Sequence, residues 1–134
     1  MLGSSLAGLP AFLVYFGVAA AIVVAYLFIY TRITPHDEFG LIRENVPAAA
    51  IALGLSLVGF VLPVASAIAH ASNIVDCVVW SVIALVVQLC AYVAVKFMIP
   101  TLAQDIQAGR AAQGFFLGTF SLGVGLLNAA CMSY

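Results

Sequence analysis

Charged residues are scarce in this sequence, and their scarcity excludes most classes of soluble protein. The 134 residues include four Lys or Arg and five Asp or Glu, whereas 66% are hydrophobic and the mean hydropathy is +1.24. A soluble domain of this size needs about 25% charged residues to cover its surface. A net charge of −1 provides no basic surface for nucleic acid. We therefore expect one membrane-embedded domain surrounded by the lipid bilayer.

Recognisable reaction centres are also missing from the sequence. It has no nucleophile–base pair, no phosphate-binding glycine loop and no paired-cysteine motif, so we expect neither enzymatic activity nor a cofactor. The segment 36–38 offers His, Asp and Glu as metal-type ligands. Three adjacent loop residues do not make a preformed site, however. We interpret this segment as a solvated loop and predict no metal.

All the cationic residues lie in two of the gaps between long apolar stretches. They are Arg32 and Arg43 in the first gap, and Lys96 and Arg110 in the third gap. Basic loops stay on the cytoplasmic side of a membrane, so these residues predict the topology. We expect loops 31–46 and 98–110 in the cytoplasm and both chain termini on the outer side.

The apolar stretches predict an all-α integral membrane protein with four transmembrane helices. A helix of about 20 apolar residues crosses the hydrocarbon layer. The predicted spans are about 9–30, 47–69, 74–97 and 111–133. Asn45 before Val46 and Pro47 is typical of a helix start, where a capping side chain precedes proline in the first turn. Residues 39–44 are compatible with either an interfacial helix or a plain loop, and 101–109 suggest another interfacial segment.

The two halves of the sequence resemble each other at a spacing of 64 residues. This shift pairs Arg32 with Lys96, Gly54 with Gly118, and Gly59 with Gly123. The coincidence of glycines and loop cations indicates a helical hairpin that is duplicated as residues 10–66 and 74–130. Both copies would be inserted the same way round, so we predict two parallel-repeat hairpins.

Polar side chains inside the predicted spans are candidates for a function. Ser66, Asp76 and Asn128 lie near the outer face and can form one polar cluster. Interhelical hydrogen bonding is the favoured explanation, with Asp76 as a first-turn carboxylate favoured by the helix dipole. A path for a solute, an ion or a proton is the alternative. Gln88 lies near the bilayer middle, where it would join helices or subunits, or else line a pore around an oligomer axis.

Small residues recur at four-residue steps along the second and fourth spans. The set that we expect to pack helices is Ala52, Ser56, Gly114, Gly118, Ser121 and Gly125. Such stripes let helix backbones approach closely, either within one chain or between copies. We expect them to support assembly into a homo-oligomer.

Four segments carry a family resemblance: residues 30–38, 41–49, 76–89 and 128–134. They are similar to the YjfL-like proteins, which are small bacterial inner-membrane proteins classed as a domain of unknown function. Glu44 departs from many of these proteins, which have Gly before the Asn. The resemblance implies a four-helix inner-membrane protein with no established activity, and it supplies no catalytic residues. Because relatives are often encoded near phage-shock-type proteins, it also implies an envelope-stress setting and membrane-stress partner proteins.

The sequence thus predicts a non-enzymatic inner-membrane component that assembles with copies of itself or with partners. A small oligomeric channel or transporter for ions or small solutes is the competing hypothesis. Its path would be lined by Gln88 or by the cluster of Ser66, Asp76 and Asn128.

Overall fold

The protein is a bundle of helices in the residues that the computed structural model describes, which are residues 2–132. The helices are α1 (Leu2–Ser5), α2 (Leu9–Ile33), α3 (Glu38–Arg43), α4 (Pro47–His70), α5 (Ile74–Met98), α6 (Leu102–Gln107) and α7 (Ala111–Cys131). Four spans are long and apolar enough to cross a membrane: α1 together with α2, then α4, α5 and α7. The predicted all-α fold with four candidate spans is confirmed. The end of the predicted fourth span, at 133, lies outside the described residues.

The ends of the long helices follow from their local sequences. Helix α4 begins with Pro47, whose fixed backbone angle suits the first helical turn. Helix α5 begins after Asn73, whose side chain accepts a hydrogen bond from the Asp76 backbone N–H at 2.8 Å. Helix α2 ends at Ile33 because Pro35 favours extended backbone at Thr34, where ψ is 133°.

Short helices fill both loops that contain the cationic residues. In α3 the side chain of Asp37 accepts a hydrogen bond from the Gly40 N–H at 3.2 Å, which caps the helix start. In α6 the Thr101 hydroxyl donates to Asp105 Oδ2 at 2.9 Å. The segment 39–44, for which a plain loop was an open alternative, is therefore largely helical.

Asn45 ends α3, and the prediction that its side chain caps α4 is wrong. Its backbone is left-handed, with φ at 63°, and the N-cap of α4 is Val46, which makes no side-chain capping bond. The turn is a Schellman motif: Val46 N–H donates to Leu41 O at 3.0 Å, and Asn45 N–H donates to Ile42 O at 3.0 Å. Asparagine tolerates this backbone conformation better than most residues.

The turn after α6 repeats the same bonds. Arg110 N–H donates to Asp105 O at 2.9 Å, and Gly109 N–H donates to Ile106 O at 3.0 Å. Gly109 is left-handed with φ at 79°. Each of these residues follows its counterpart in the first turn by the 64-residue spacing found in the sequence.

Helices α4 and α7 make the closest contact in the bundle. A Cβ atom added to Gly125 would lie 2.5 Å from the Gly59 carbonyl carbon, and one added to Gly114 would lie 2.9 Å from the Ala48 carbonyl carbon. At these distances the added Cβ atom would overlap the backbone of α4. The contact therefore requires glycine at both positions of α7.

The order of these contacts shows that α4 and α7 are parallel. Ala48 and Gly114 meet near the start of each helix, and Gly59 and Gly125 meet further along both. The short helices that precede α4 and α7 must then lie at the same end of the bundle, where Leu41 of α3 and Gln107 of α6 line one cavity. We call this the basic end, because the four Lys and Arg residues of the chain lie there. The opposite end is called the far end.

The first span packs much less than the others. In its most apolar stretch 6% of the residues are buried, compared with 44% in α4. The buried residues of α2 are Tyr26 and Tyr30, near the basic end, whereas Phe12 and Phe16 in its other half are exposed. The half of α2 at the far end therefore packs little against the rest of the described bundle.

Candidate functional site

A buried ionisable pair lies at the basic end, where the chain passes from α2 to α3. His36 and Glu38 are each 2% exposed, and His36 Nε2 lies 3.1 Å from Glu38 Oε1. The buried Thr34 hydroxyl donates a hydrogen bond to the same carboxylate oxygen. The interpretation of this segment as a solvated loop is therefore wrong for two of its three residues. Asp37 remains outside as the cap of α3, and its neighbours on either side turn inward.

The surroundings of the pair are aromatic. The rings of Tyr30 and Tyr92 meet edge to face with centroids 5.6 Å apart, and Tyr26 stacks on Phe60 at 4.3 Å. The Glu38 carboxylate lies within electrostatic reach of Tyr26 and Tyr92. A carboxyl group in such a setting is costly without polar partners, and the Thr34 hydroxyl and the His36 ring are the polar groups beside it.

The chemistry available to this pair is proton exchange. Glu38 Oε2 and His36 Nδ1 are buried and have no hydrogen-bond partner among the described residues. A histidine beside a carboxylate can hold or release a proton without a cofactor. Within residues 2–132 no group of three or more His, Cys, Asp or Glu side chains is placed to hold a metal ion.

Gln88 joins the two helices that make the closest contact. It is 1% exposed on α5, and its Nε2 donates to Gly59 O at 2.9 Å and to Ser121 O at 3.1 Å. One amide thus bonds to α4 and α7 at the place where their backbones touch. Both acceptors of the amide nitrogen are backbone carbonyls of the same chain. Gln88 therefore joins helices within one chain.

The three polar residues expected at the outer face lie at the far end of the bundle. The Ser66 hydroxyl donates to Ala129 O at 3.1 Å, which connects α4 to α7 beside Asn128. Asn128 Nδ2 is buried without a hydrogen-bond partner among the described residues. Asp76 instead bonds to its own helix start, where Oδ2 accepts from the Ser72 N–H at 3.4 Å. Asp76 therefore has the position of a first-turn cap, and it lines a cavity of about 200 Å³ with His70 and Trp80.

The small residues expected to pack helices lie within one chain. Ala52, Ser56, Gly114, Gly118, Ser121 and Gly125 are all buried in α4 and α7. A Cβ atom on Gly118, for example, would lie 2.9 Å from Ile51 O of α4. Since these stripes face each other inside the chain, they are not exposed to a second copy. Assembly between copies requires another surface.

The four cationic residues have different surroundings at the basic end. The Arg32 guanidinium lies 4.6 Å from the centre of the Phe28 ring, and Arg43 Nε donates to Phe39 O at 3.2 Å. Arg110 Nη1 lies 3.5 Å from Asp105 Oδ1. Lys96 lines a cavity of about 300 Å³.

A periodic signal in the sequence marks Glu38, one member of the buried pair that the sequence analysis missed. Tyr26, Tyr30, Thr34 and Glu38 follow one another at four-residue steps. This step keeps side chains on one face of a helix, and all four side chains are buried. Tyr26 and Tyr30 share a face of α2, whereas Thr34 and Glu38 lie beyond the end of that helix at Ile33. The four-residue step thus extends past the predicted span, which stops before Pro35.

Comparisons with known proteins agree with a membrane location. The family model described as Domain of Unknown Function (DUF350) matches residues 4–132. The chain is 43% identical over 126 residues to "UPF0719 inner membrane protein YjfL" of Escherichia coli (strain K12), which covers 94% of this chain and 96% of that protein. It is 25% identical over 118 residues to "UPF0719 transmembrane protein YshE" of Bacillus subtilis (strain 168), which covers 87% and 88%. No solved structure matches the chain.

Proposed function

Because the chain belongs to the DUF350 family, as its resemblance to the YjfL-like inner-membrane proteins predicted, we propose a function that requires no reaction centre. The protein is a non-enzymatic component of the inner membrane that acts by assembling with copies of itself. The names of its relatives state a membrane location and no activity. The observation that carries the proposal is the uneven packing of the four spans.

An uncovered stripe of small residues on α2 supports self-association. Gly17, Ala21 and Ala25 follow at four-residue steps and are all exposed. A Cβ atom on Gly17 would meet nothing within 4 Å. Small residues make poor contacts with lipid tails but let two helix backbones approach. The stripes on α4 and α7 are buried against each other, so the stripe on α2 is the one that a second copy can reach.

A symmetric dimer is the simplest assembly that this stripe supports. In a two-fold dimer the same patch of each subunit meets itself. Two α2 helices related in this way would bring Gly17 of one copy near Gly17 of the other. Leucine at this position would hold the two backbones apart without disturbing the monomer.

The test compares Gly17→Leu with Gly54→Leu, measured as particle mass in mild detergent by light scattering. Gly54 is an exposed glycine of α4 that also has nothing within 4 Å of an added Cβ, which makes it a matched control. We expect Gly54→Leu and the unaltered protein to be dimers and Gly17→Leu to be a monomer of unchanged helix content. A monomeric unaltered protein, or a dimer that survives Gly17→Leu, contradicts the proposal.

We extend the proposal to a setting of membrane maintenance and envelope stress, with membrane-stress proteins as further partners. The family resemblance alone supports this extension. Cells that lack the protein should lose membrane potential faster under envelope stress than cells that have it. Equal retention of the potential in both would contradict the extension.

The orientation that we propose has the basic end in the cytoplasm and both termini in the periplasm. It is supported by the presence of all four cationic residues at one end of the bundle. Cys131 provides a native probe, because it is exposed at the far end of α7. Cys77 is buried, and Cys90 lies midway along α5 in the apolar layer.

A thiol reagent that does not cross membranes should label Cys131 in spheroplasts. A cysteine introduced by Ala108→Cys at the basic end should be labelled in inverted vesicles instead, with Cys131 changed to Ser. The opposite pattern, or labelling of both sites from one side, would contradict the proposed orientation.

We also propose that the two halves are parallel copies of one helical hairpin. The support comes from the bonds of the two turns, which match at the spacing of 64 residues, and from short helices of six residues in each half. The second copy carries an ion pair between Asp105 and Arg110, where the first copy has Leu41 and Val46. A solved structure in which these turns have different backbone bonds would contradict the duplication.

A small channel or transporter is the second candidate function, and the buried pair of His36 and Glu38 favours it. Ionisable residues that are buried at the membrane mark ion and proton paths in many transporters. The contact between α4 and α7 fills the space between those two helices. A path would therefore pass beside Tyr26, Tyr30 and Tyr92, which surround the pair, rather than past Gln88.

The test of this second candidate is proton flux into proteoliposomes. Glu38→Gln keeps an oxygen that can accept the Thr34 hydroxyl bond but removes the ionisable group. Glu44→Gln is the control, because Glu44 is exposed on the same loop. A transporter should lose flux in Glu38→Gln and keep it in Glu44→Gln. Flux in the unaltered protein equal to that of protein-free vesicles would exclude this function.

A further inference from the structure

A crevice at the basic end has one lysine and two glutamines among its lining residues. It has a volume of about 300 Å³ and lies between the corner after α2, the end of α5 and helix α6. The lining residues with polar side chains are Tyr92, Lys96, Gln104 and Gln107. These side chains offer an ammonium group, two carboxamide groups and a phenol hydroxyl, and none of them is a carboxylate.

The Lys96 ammonium group is available to a ligand because it makes no ion pair within the described residues. In residues 2–132 the three arginines have partners in an aromatic ring, a backbone carbonyl and a carboxylate, whereas Lys96 has neither an ion pair nor a ring contact. The carboxylate on α6 is Asp105, which is bonded to Thr101 and paired with Arg110. The positive charge in the crevice is therefore not neutralised by its own helix or by its neighbour.

Two prolines explain why the chain leaves this crevice open. Pro35 follows α2 and Pro100 follows α5, and both line the crevice. Proline disfavours helix at the residue before it. Thr34 is accordingly extended, with ψ at 133°, and Ile99 leaves helical geometry, with ψ at 87°. Helices α2 and α5 therefore both end beside the crevice.

Tyr92 is close to both the crevice and the buried ionisable pair. It lines the crevice, is 2% exposed, and lies within electrostatic reach of Glu38. An anion in the crevice would thus have the Tyr92 side chain among its neighbours. Glu38 itself does not line the crevice, and its Oε1 lies 3.1 Å from His36 Nε2. Among residues 2–132, the lining of the crevice therefore includes one cation and no carboxylate.

We propose that this crevice binds a phosphate group. Lys96 supplies the charge, and the amides of Gln104 and Gln107 supply hydrogen-bond donors to the phosphate oxygens. Lys96 belongs to the last turn of a span, which is the depth of the lipid headgroups. The phosphate comes either from an anionic phospholipid or from a soluble phosphate ester, and both present the same oxygens.

The test uses the full chain in nanodiscs of phosphatidylcholine with added phosphatidylglycerol, and it counts retained lipid by native mass spectrometry. Lys96→Gln removes the charge-assisted hydrogen bond to the phosphate and should weaken phosphatidylglycerol retention about tenfold, the lower end for a hydrogen bond to a charged group. Arg32→Gln is the matched control, since Arg32 also ends a span but lies over the Phe28 ring. It should retain the lipid like the unaltered protein.

A competition experiment identifies the source of the phosphate. A second variant shows whether a loss of retention comes from the site or from misfolding. Glycerol 3-phosphate that displaces the retained lipid at millimolar concentration would assign the site to soluble esters, and failure to displace it would assign the site to lipid. Gln107→Leu, which leaves all four cations in place, should also weaken retention. Equal losses in Lys96→Gln and Arg32→Gln, or no loss in either, would overturn the proposal.

Discussion

The backbone contact between α4 and α7 is the constraint on which the rest of the structure depends. It brings Gly59 and Gly125 so close that a side chain on either helix would overlap the other backbone. Gln88 then bonds to both helices at this level through one amide nitrogen. In a bilayer the hydrophobic effect does not drive helices together, so such close contacts and hydrogen bonds hold the bundle. Three of the four spans are organised around this one place.

The direction of this contact decides what lies at each end. Because α4 and α7 are parallel, the loops that precede them must share an end of the bundle. This places α3, α6 and all four cationic residues together and brings the loop prolines to one crevice. It also buries the small-residue stripes of α4 and α7 against each other. The exposed stripe of small residues is then the one on α2. The proposals of self-association and of phosphate binding both follow from this arrangement.

Sequence reasoning predicted the parts of the fold that depend on composition and spacing. Apolar length located four spans, and the small residues that pack α4 against α7 were identified by their four-residue steps. The burial of His36 and Glu38 was missed because both are polar and lie beside a proline. Their burial depends on Asp37 taking the outer position and on Tyr92 arriving from α5, and the four-residue step from Tyr26 to Glu38 contains neither of these. Asn45 was misassigned because a residue that caps one helix can equally well end the previous one.

The measurement that tests the central contact most directly is the free energy of unfolding of Gly125→Ala and Gly123→Ala in mixed micelles. The two glycines lie on the same helix, but an added Cβ meets the Gly59 backbone at position 125 and open space at position 123. The account predicts that Gly125→Ala lowers the unfolding free energy by about 1–3 kcal/mol, as overpacking does, and that Gly123→Ala does not lower it. Equal stability of the two variants would contradict the account.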